Sequence, residues 1–305
     1  MSGPPEVSVV LCTRDRAQGC RGAIDTVRRQ DDLDGVELVV VDNASVDGTR
    51  AMLERLVVPE VALTVVDAPV AGLGRARNRG VEVARGELIV FLDDDCRWPV
   101  DHLRRTRAAM SELGVAWLAG AVHAAPDAAV RAALVEDPGF RYFPASTAPL
   151  PGEVLGANLA VRAAAYRAVG GCDERLGAGT PFRFEDVELC ARLADAGHDG
   201  AYLGSLAIVH AHGRDAAGAR RLEIANALAR GAYLARRISL GDRAYARRWA
   251  GVARRRFGWR AGSVAWATAM VAGELAGLAA GAAALGGRSP RRARSTARPA
   301  RVEAG

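Results

Sequence analysis

The sequence predicts an α/β fold, a domain with a mostly parallel central sheet followed by a C-terminal helical appendage. Three observations carry this expectation. Short β-branched runs alternate with helical patterns across residues 7–122, as they do when strands are joined by helical crossovers. The polar clusters fall directly after those runs, where ligands bind in such sheets. From residue 217 to 287 the pattern is helical.

The elements follow in order. Residues 7–12 form a short apolar run, read as a buried strand, and Thr13-Arg14-Asp15-Arg16 is polar loop. Residues 20–30 read as helix and 36–41 as a second strand. That strand ends in Asp42-Asn43-Ala44-Ser45-Val46-Asp47-Gly48-Thr49, which is turn chemistry. A third strand is expected at 61–66, a helix at 73–84, and a fourth strand at 88–92. Residues 99–113 read as helix with Pro99 near its start, and 115–122 as a fifth strand. The stretch 126–152 is irregular and carries Pro138, Pro144, Pro149 and Pro151. A strand returns at 156–161, then a short helix at 163–169, then a helix led by Glu185-Asp186. A strand-like run at 206–209 meets His210-Ala211-His212. The expected division is an α/β domain over 1–213, a helical appendage over 214–287 and a basic tail over 288–305.

Composition narrows the function classes. The chain has 305 residues, half of them hydrophobic, enough to bury a sizeable core. All 41 basic residues are arginine. The net charge of +6 is concentrated at the end, in Arg288, Arg291, Arg292, Arg294, Arg298 and Arg301. Setting those and Glu303 aside, 35 arginines face 34 acids. A basic tail suits an anionic surface, membrane or nucleic acid, or is simply solvated. The five cysteines are odd in number and form no CxxC pair, which argues against a disulfide framework or zinc site and for a reducing compartment. The first residues lack the pattern of a secretory leader, so the expected location is cytoplasmic. Residues 261–287 are Ala/Gly-rich with one charge, Glu274. That stretch reads as a helix touching a membrane from the side, with Gly273, Gly277 and Gly281 spaced for close helix approach.

Phe91-Leu92-Asp93-Asp94-Asp95 is the strongest chemical signal. Adjacent carboxylates at the end of a buried strand repel one another unless a cation compensates. Mg²⁺ characteristically takes one or two carboxylates together with substrate phosphates. Glu185-Asp186 opens an apolar-periodic helix, where an acid either caps the helix or deprotonates a hydroxyl. Ala71-Gly72-Leu73-Gly74-Arg75-Ala76-Arg77-Asn78 has G-x-G but Arg77 where a dinucleotide fingerprint needs a third glycine, which excludes a Rossmann dehydrogenase. It is either a tight turn or a phosphate-facing helix start. His210 and His212 share one strand face, in reach of a metal or as structural residues.

Together, residues 7–16, 41–49, Ala76-Arg77-Asn78-Arg79-Gly80, Phe91-Leu92-Asp93-Asp94-Asp95 and Phe184-Glu185-Asp186-Val187-Glu188-Leu189 resemble the family 2 inverting glycosyltransferases of the GT-A fold. The likeness runs from Val7 to His212 in the family's motif order. It implies that Thr13, Arg14 and Asp15 lie under the nucleotide base and ribose, and that Asp42 bonds one of them. Arg77 and Asn78 match the segment near the ribose and diphosphate. Asp93 and Asp95 match the outer positions of the D-x-D motif and are the expected metal residues. Asp93 and the intervening Asp94 are also expected to bind the nucleotide sugar, and which pair ligates the metal is left open. Asp186 matches the catalytic base, Glu185 lies beside the donor, and His210 resembles a late histidine that approaches the metal or diphosphate. The resemblance further implies Mg²⁺ or Mn²⁺ and a nucleoside-diphosphate sugar donor. The acceptor would be a sugar, a lipid-linked group or a small molecule, and an anionic membrane surface but no nucleic acid would be a partner. The implied setting is cell-envelope, polysaccharide or glycolipid synthesis. A sugar-1-phosphate nucleotidyltransferase would want a Gly- and Lys-rich loop after the first strand, and the chain has no lysine. A non-catalytic sugar-nucleotide binder would not need carboxylates at both positions.

Overall fold

The computed structural model describes residues 5–128, 130–213, 215–259 and 264–285. The first half alternates β1 (Val7–Thr13), α1 (Ala17–Arg28), β2 (Val36–Asp42), α2 (Thr49–Glu54), β3 (Ala62–Asp67), α3 (Leu73–Val83) and β4 (Leu88–Asp93). Then come β5 (Cys96–Arg97), α4 (His102–Leu113), β6 (Trp117–Ala124), β7 (Phe140–Phe143), β8 (Asn158–Arg162), α5 (Ala163–Ala168), α6 (Glu185–Asp195) and β9 (Gly200–His210). Three helices close the chain: α7 (Ala216–Ser239), α8 (Arg243–Trp259) and α9 (Val264–Leu285).

The strands form one sheet in the order β3-β2-β1-β4-β8-β6-β9-β5, with β7 also on β9. The expected parallel pairing holds across β3-β2-β1-β4. Beyond β4 the sheet is mixed, because β8 runs antiparallel to both β4 and β6, and β9 returns parallel to β6. No run of residues announces strand direction, which depends on the connections. β5 and β7 escape sequence reading because they have two and four residues.

Burial on both faces explains the near-continuous apolar runs of β1, β2 and β4. Alternate residues serve different cores. Val10, Val39, Val41 and Phe91 pack on one face with Ala76 of α3, Leu189 of α6 and Tyr233 of α7. Val9, Leu11, Leu38 and Val90 pack on the other with Ile24 of α1 and Leu103 and Met110 of α4. The parallel half therefore ends, at its carboxyl edge, between two helical layers.

The glycines of the last helix are spent on α7. A Cβ on Gly277 would lie 2.0 Å from the Leu228 carbonyl oxygen, so only glycine permits this approach. Glu274, the lone charge of that stretch, is buried and meets Arg230 of α7 at 2.7 Å. Among the described residues no helix is long and apolar enough to cross a membrane. The basic tail and residues 260–263 lie outside the described residues.

Candidate active site

The carboxyl ends of β1 and β4 open into a cavity of about 760 Å³. Register fixes the first contacts. Cys12 lies beside Asp93 and Thr13 beside Asp42 in neighbouring strands. Several loops around these ends hold non-glycine residues at positive φ: Asp15 at 53°, Ala44 at 58°, Ala133 at 53° and Phe184 at 75°. Such conformations carry strain and persist where the surroundings enforce them.

The three aspartates have three different environments. Asp93 accepts from the Arg77 guanidinium at 3.1 Å. Asp94 accepts from the Thr13 hydroxyl and from Arg16, each at 2.8 Å. Burial raises its pKa, against the pull of Arg16. Asp95 accepts from Arg16 at 2.6 Å and meets Nε2 of His210 at 3.1 Å. Burial would raise the Asp95 pKa, but the bond from His210 and then Arg16 outweigh it, and the group is held below the usual carboxylate range. His210 responds in kind: burial favours its neutral form, Asp95 favours the charged one, and the net shift is upward. The other ring nitrogen of His210 faces the Ala133 carbonyl at 3.2 Å. His212 stacks edge-on against His210 with ring centroids 5.2 Å apart.

Charge compensation among the aspartates is thus supplied by Arg16, Arg77 and His210. The case for a metal rests on donor chemistry instead. Asp95, Cys96 and His210 each offer an atom within 4.8 Å of the others. Burial pushes the Cys96 thiol well up, and its sulfur is a soft donor that suits neither Mg²⁺ nor Mn²⁺. A carboxylate and an imidazole remain, a donor set that suits Mn²⁺ better than the all-oxygen preference of Mg²⁺.

Arg77 ties the aspartates to α6. It is 2% exposed, lies over the Phe91 ring at 5.0 Å, and reaches Glu185 at 3.0 Å. A Cβ on Gly156 would sit 2.5 Å from this guanidinium, so the glycine makes its slot. Burial raises the Glu185 pKa to about 7, helped by the Asp186 charge and opposed by Arg77. Asp186 accepts from the backbone N–H of Gly156 at 2.6 Å and of Val187 at 2.8 Å. These bonds tether each oxygen and leave a lone pair on both. Asp186 also lines the cavity, so holding the helix start and facing a substrate are compatible.

Thr13, Arg14, Arg77, Asp93, Asp94, Asp95, Glu185, Asp186 and His210 share this cavity wall. Asp15, Asp42 and Asn78 are outside it. Asp15 accepts from the Val46 N–H at 2.7 Å, stitching the loop after β1 to the loop after β2. Asp42 accepts from the Ser45 N–H at 3.1 Å and shapes its own turn. Asn78, expected near ribose and diphosphate, turns to the Cys172 backbone, donating to its carbonyl at 3.0 Å and accepting from its N–H at 2.7 Å. Sequence reading missed Arg16 as a site residue, although it sat inside a recognised motif. It also missed Arg183, Glu223, Asn226, Arg230 and Glu274, which line the cavity from the α6 approach, α7 and α9. No motif marks the helical ones.

A parallel α/β half carrying an acidic cluster at its strand ends, continued by a mixed sheet, defines a protein of the GT-A type. The glycosyl transferase family 2 model matches residues 8–167. The chain belongs to that family. It is 38% identical over 101 residues to the succinoglycan biosynthesis protein ExoO of Rhizobium meliloti, covering 33% of this chain and 28% of that protein. It is 30% identical over 224 residues to the pre-mycofactocin glycosyltransferase of Mycobacterium tuberculosis, covering 69% and 44%. The first curated relatives are matched over between 26% and 44% of their length. In fold, the chain is similar to the mannosyltransferase PcManGT of Pyrobaculum calidifontis, solved with GDP-Man and Mn²⁺. The TM-score is 0.62 at 23% identity, over 92% of this chain and 76% of that one.

Proposed function

We propose that this chain moves a hexosyl or deoxyhexosyl group from a nucleoside-diphosphate sugar to an acceptor hydroxyl, with inversion at the anomeric carbon. The observation that carries this reading is one cavity lined by Asp95 and His210, by Arg77 with Glu185, and by Asp186. As the acceptor oxygen bonds to the anomeric carbon, its proton passes to Asp186 and the bond to the diphosphate breaks. A positioned base of this kind contributes roughly 10²–10⁴-fold. Thr13, Arg14 and Arg16 stand at the carboxyl end of β1, where the nucleotide would lie. Asp95 and His210 would hold Mn²⁺ or Mg²⁺, which offsets charge on the leaving diphosphate. Arg77 sets the position of Asp93 and Glu185 rather than reaching the nucleotide.

The setting we assign is polysaccharide or glycolipid synthesis at the cytoplasmic face of the cell envelope. The name of ExoO supports the polymer, and the six arginines after residue 287 support an anionic membrane surface. The α/β part supplies the donor site and base, and the helices after residue 213 complete the cavity.

Incubation of the purified chain with a panel of UDP-, GDP- and dTDP-sugars and Mn²⁺ tests the reading. Release of nucleoside diphosphate from one donor is expected. Failure to bind or consume any donor would overturn it.

A further inference from the structure

We infer that the stripe of α7 facing the cavity, closed by α9, is the acceptor subsite, and that it takes a neutral saccharide rather than a phosphate-bearing group. The inference rests on the proposed transfer reaction and names its second substrate.

Leu222, Asn226 and Arg230 recur at four-residue spacing and all line the cavity, so one stripe of α7 faces it. Position follows from packing. α7 lies on α6, the helix of Asp186, through Arg236 to Glu188 at 2.7 Å and Arg237 to Asp195 at 2.7 Å. Asp186 is bonded to the Gly156 N–H just before β8, and β4 separates β8 from the nucleotide side at the ends of β1 and β2. The Tyr233 hydroxyl of α7 lies 3.5 Å from the carbonyl of Val187, the next residue of α6, so a hydroxyl approaching Asp186 would rest against α7.

The chemistry of the wall selects the acceptor. Arg230 is tied to Glu274 at 2.7 Å, a pair that presents little net charge. Arg183 and Glu223 line the same cavity with opposite signs. The wall is balanced, whereas a phosphate calls for a surplus of guanidinium or ammonium donors. Asn226 offers both a donor and an acceptor, and the Glu223 carboxylate accepts, a combination suited to hydroxyls. Phe184, Leu155 and Leu222 add apolar surface for the C–H face of a ring.

The test uses the 305-residue chain with Mn²⁺ and whichever nucleotide sugar it consumes. Soluble p-nitrophenyl glycosides and farnesyl phosphate serve as the two acceptor probes. A glycoside should accelerate nucleoside-diphosphate release and appear as a glycosylated product, and farnesyl phosphate should do neither. Asn226→Ala and the exposed-site variant Glu223→Ala should raise the half-saturating glycoside concentration about 3- to 10-fold, the loss of one hydrogen bond. The shift for the donor should be smaller, and melting temperatures confirm that both variants fold. Donor consumption without stimulation by any glycoside would overturn the inference, as would use of farnesyl phosphate instead, or glycoside saturation insensitive to both substitutions. Failure of the proposed reaction itself would look different, since no donor would then be bound or consumed at all.

Discussion

The guanidinium of Arg77 lies 3.0 Å from the Glu185 carboxylate and so joins α3 to the first turn of α6. The same group holds Asp93 at 3.1 Å. One buried cation therefore fixes two acids that are 92 positions apart in the chain.

Removing that cation leaves acids uncompensated. Arg77→Met should cost about 3–5 kcal/mol of stability, the usual penalty for breaking a buried ion pair from one side. Arg77→Lys should cost less, because a charge remains, yet it cannot span both acids in one plane. Urea denaturation of both variants reads this directly. An Arg77→Met protein as stable as the parent would show that the pairs are incidental.

His102 should set an acid limit on stability. Burial lowers its pKa from 6.5 to about 3, with a smaller push from Arg105. The unfolded chain therefore binds the proton more readily between these values. Stability is complete above about pH 6.5 and declines as pH falls toward 3, by roughly 3 kcal/mol at pH 4. His102→Phe should flatten the melting curve over that range. Parallel pH profiles for parent and variant would remove His102 as the cause.

Much of this was legible in the sequence, and what was not has physical reasons. β1, β2 and β4 announce themselves because both faces are buried, and the acids after β4 mark the cavity at once. Strand direction beyond β4 was hidden, since β8 and β6 look alike whichever way they run. The compensation of Asp94 and Asp95 by Arg16 was also hidden, because it depends on Arg16 reaching across 78 positions. The α7 wall left no trace. No pattern singles out Glu223, Asn226 and Arg230, which line the cavity only once α7 packs on α6 and α9.

Metal dependence is a separate expectation. Mn²⁺ should tighten nucleoside-diphosphate binding by about tenfold or more, a gain of over 1 kcal/mol. Asp95→Asn and His210→Ala should each remove most of it, while Asp94→Asn should matter less because Asp94 is not among the donor atoms that cluster with His210. Titration calorimetry with Mn²⁺ and with chelator distinguishes them. Equal affinity in both conditions would count against Asp95 and His210 as ligands.

The central claim is that Asp186 removes the acceptor proton, and one comparison tests it most directly. Asn can keep one of the two backbone bonds through its oxygen, while its amide nitrogen must turn away from the other N–H. Asp186→Asn should therefore stay folded with a melting temperature lowered by about one hydrogen bond's worth and with donor affinity close to that of the parent. It should lower the rate of sugar transfer by roughly 10²–10⁴-fold, since an amide cannot take the proton. Glu185→Gln, its buried neighbour, breaks the pair with Arg77 and is the comparison that shows how much activity is lost through stability rather than through the base. The account predicts a folded, donor-binding and nearly inert Asp186→Asn enzyme; a folded enzyme that transfers sugar at the parent's rate would contradict it.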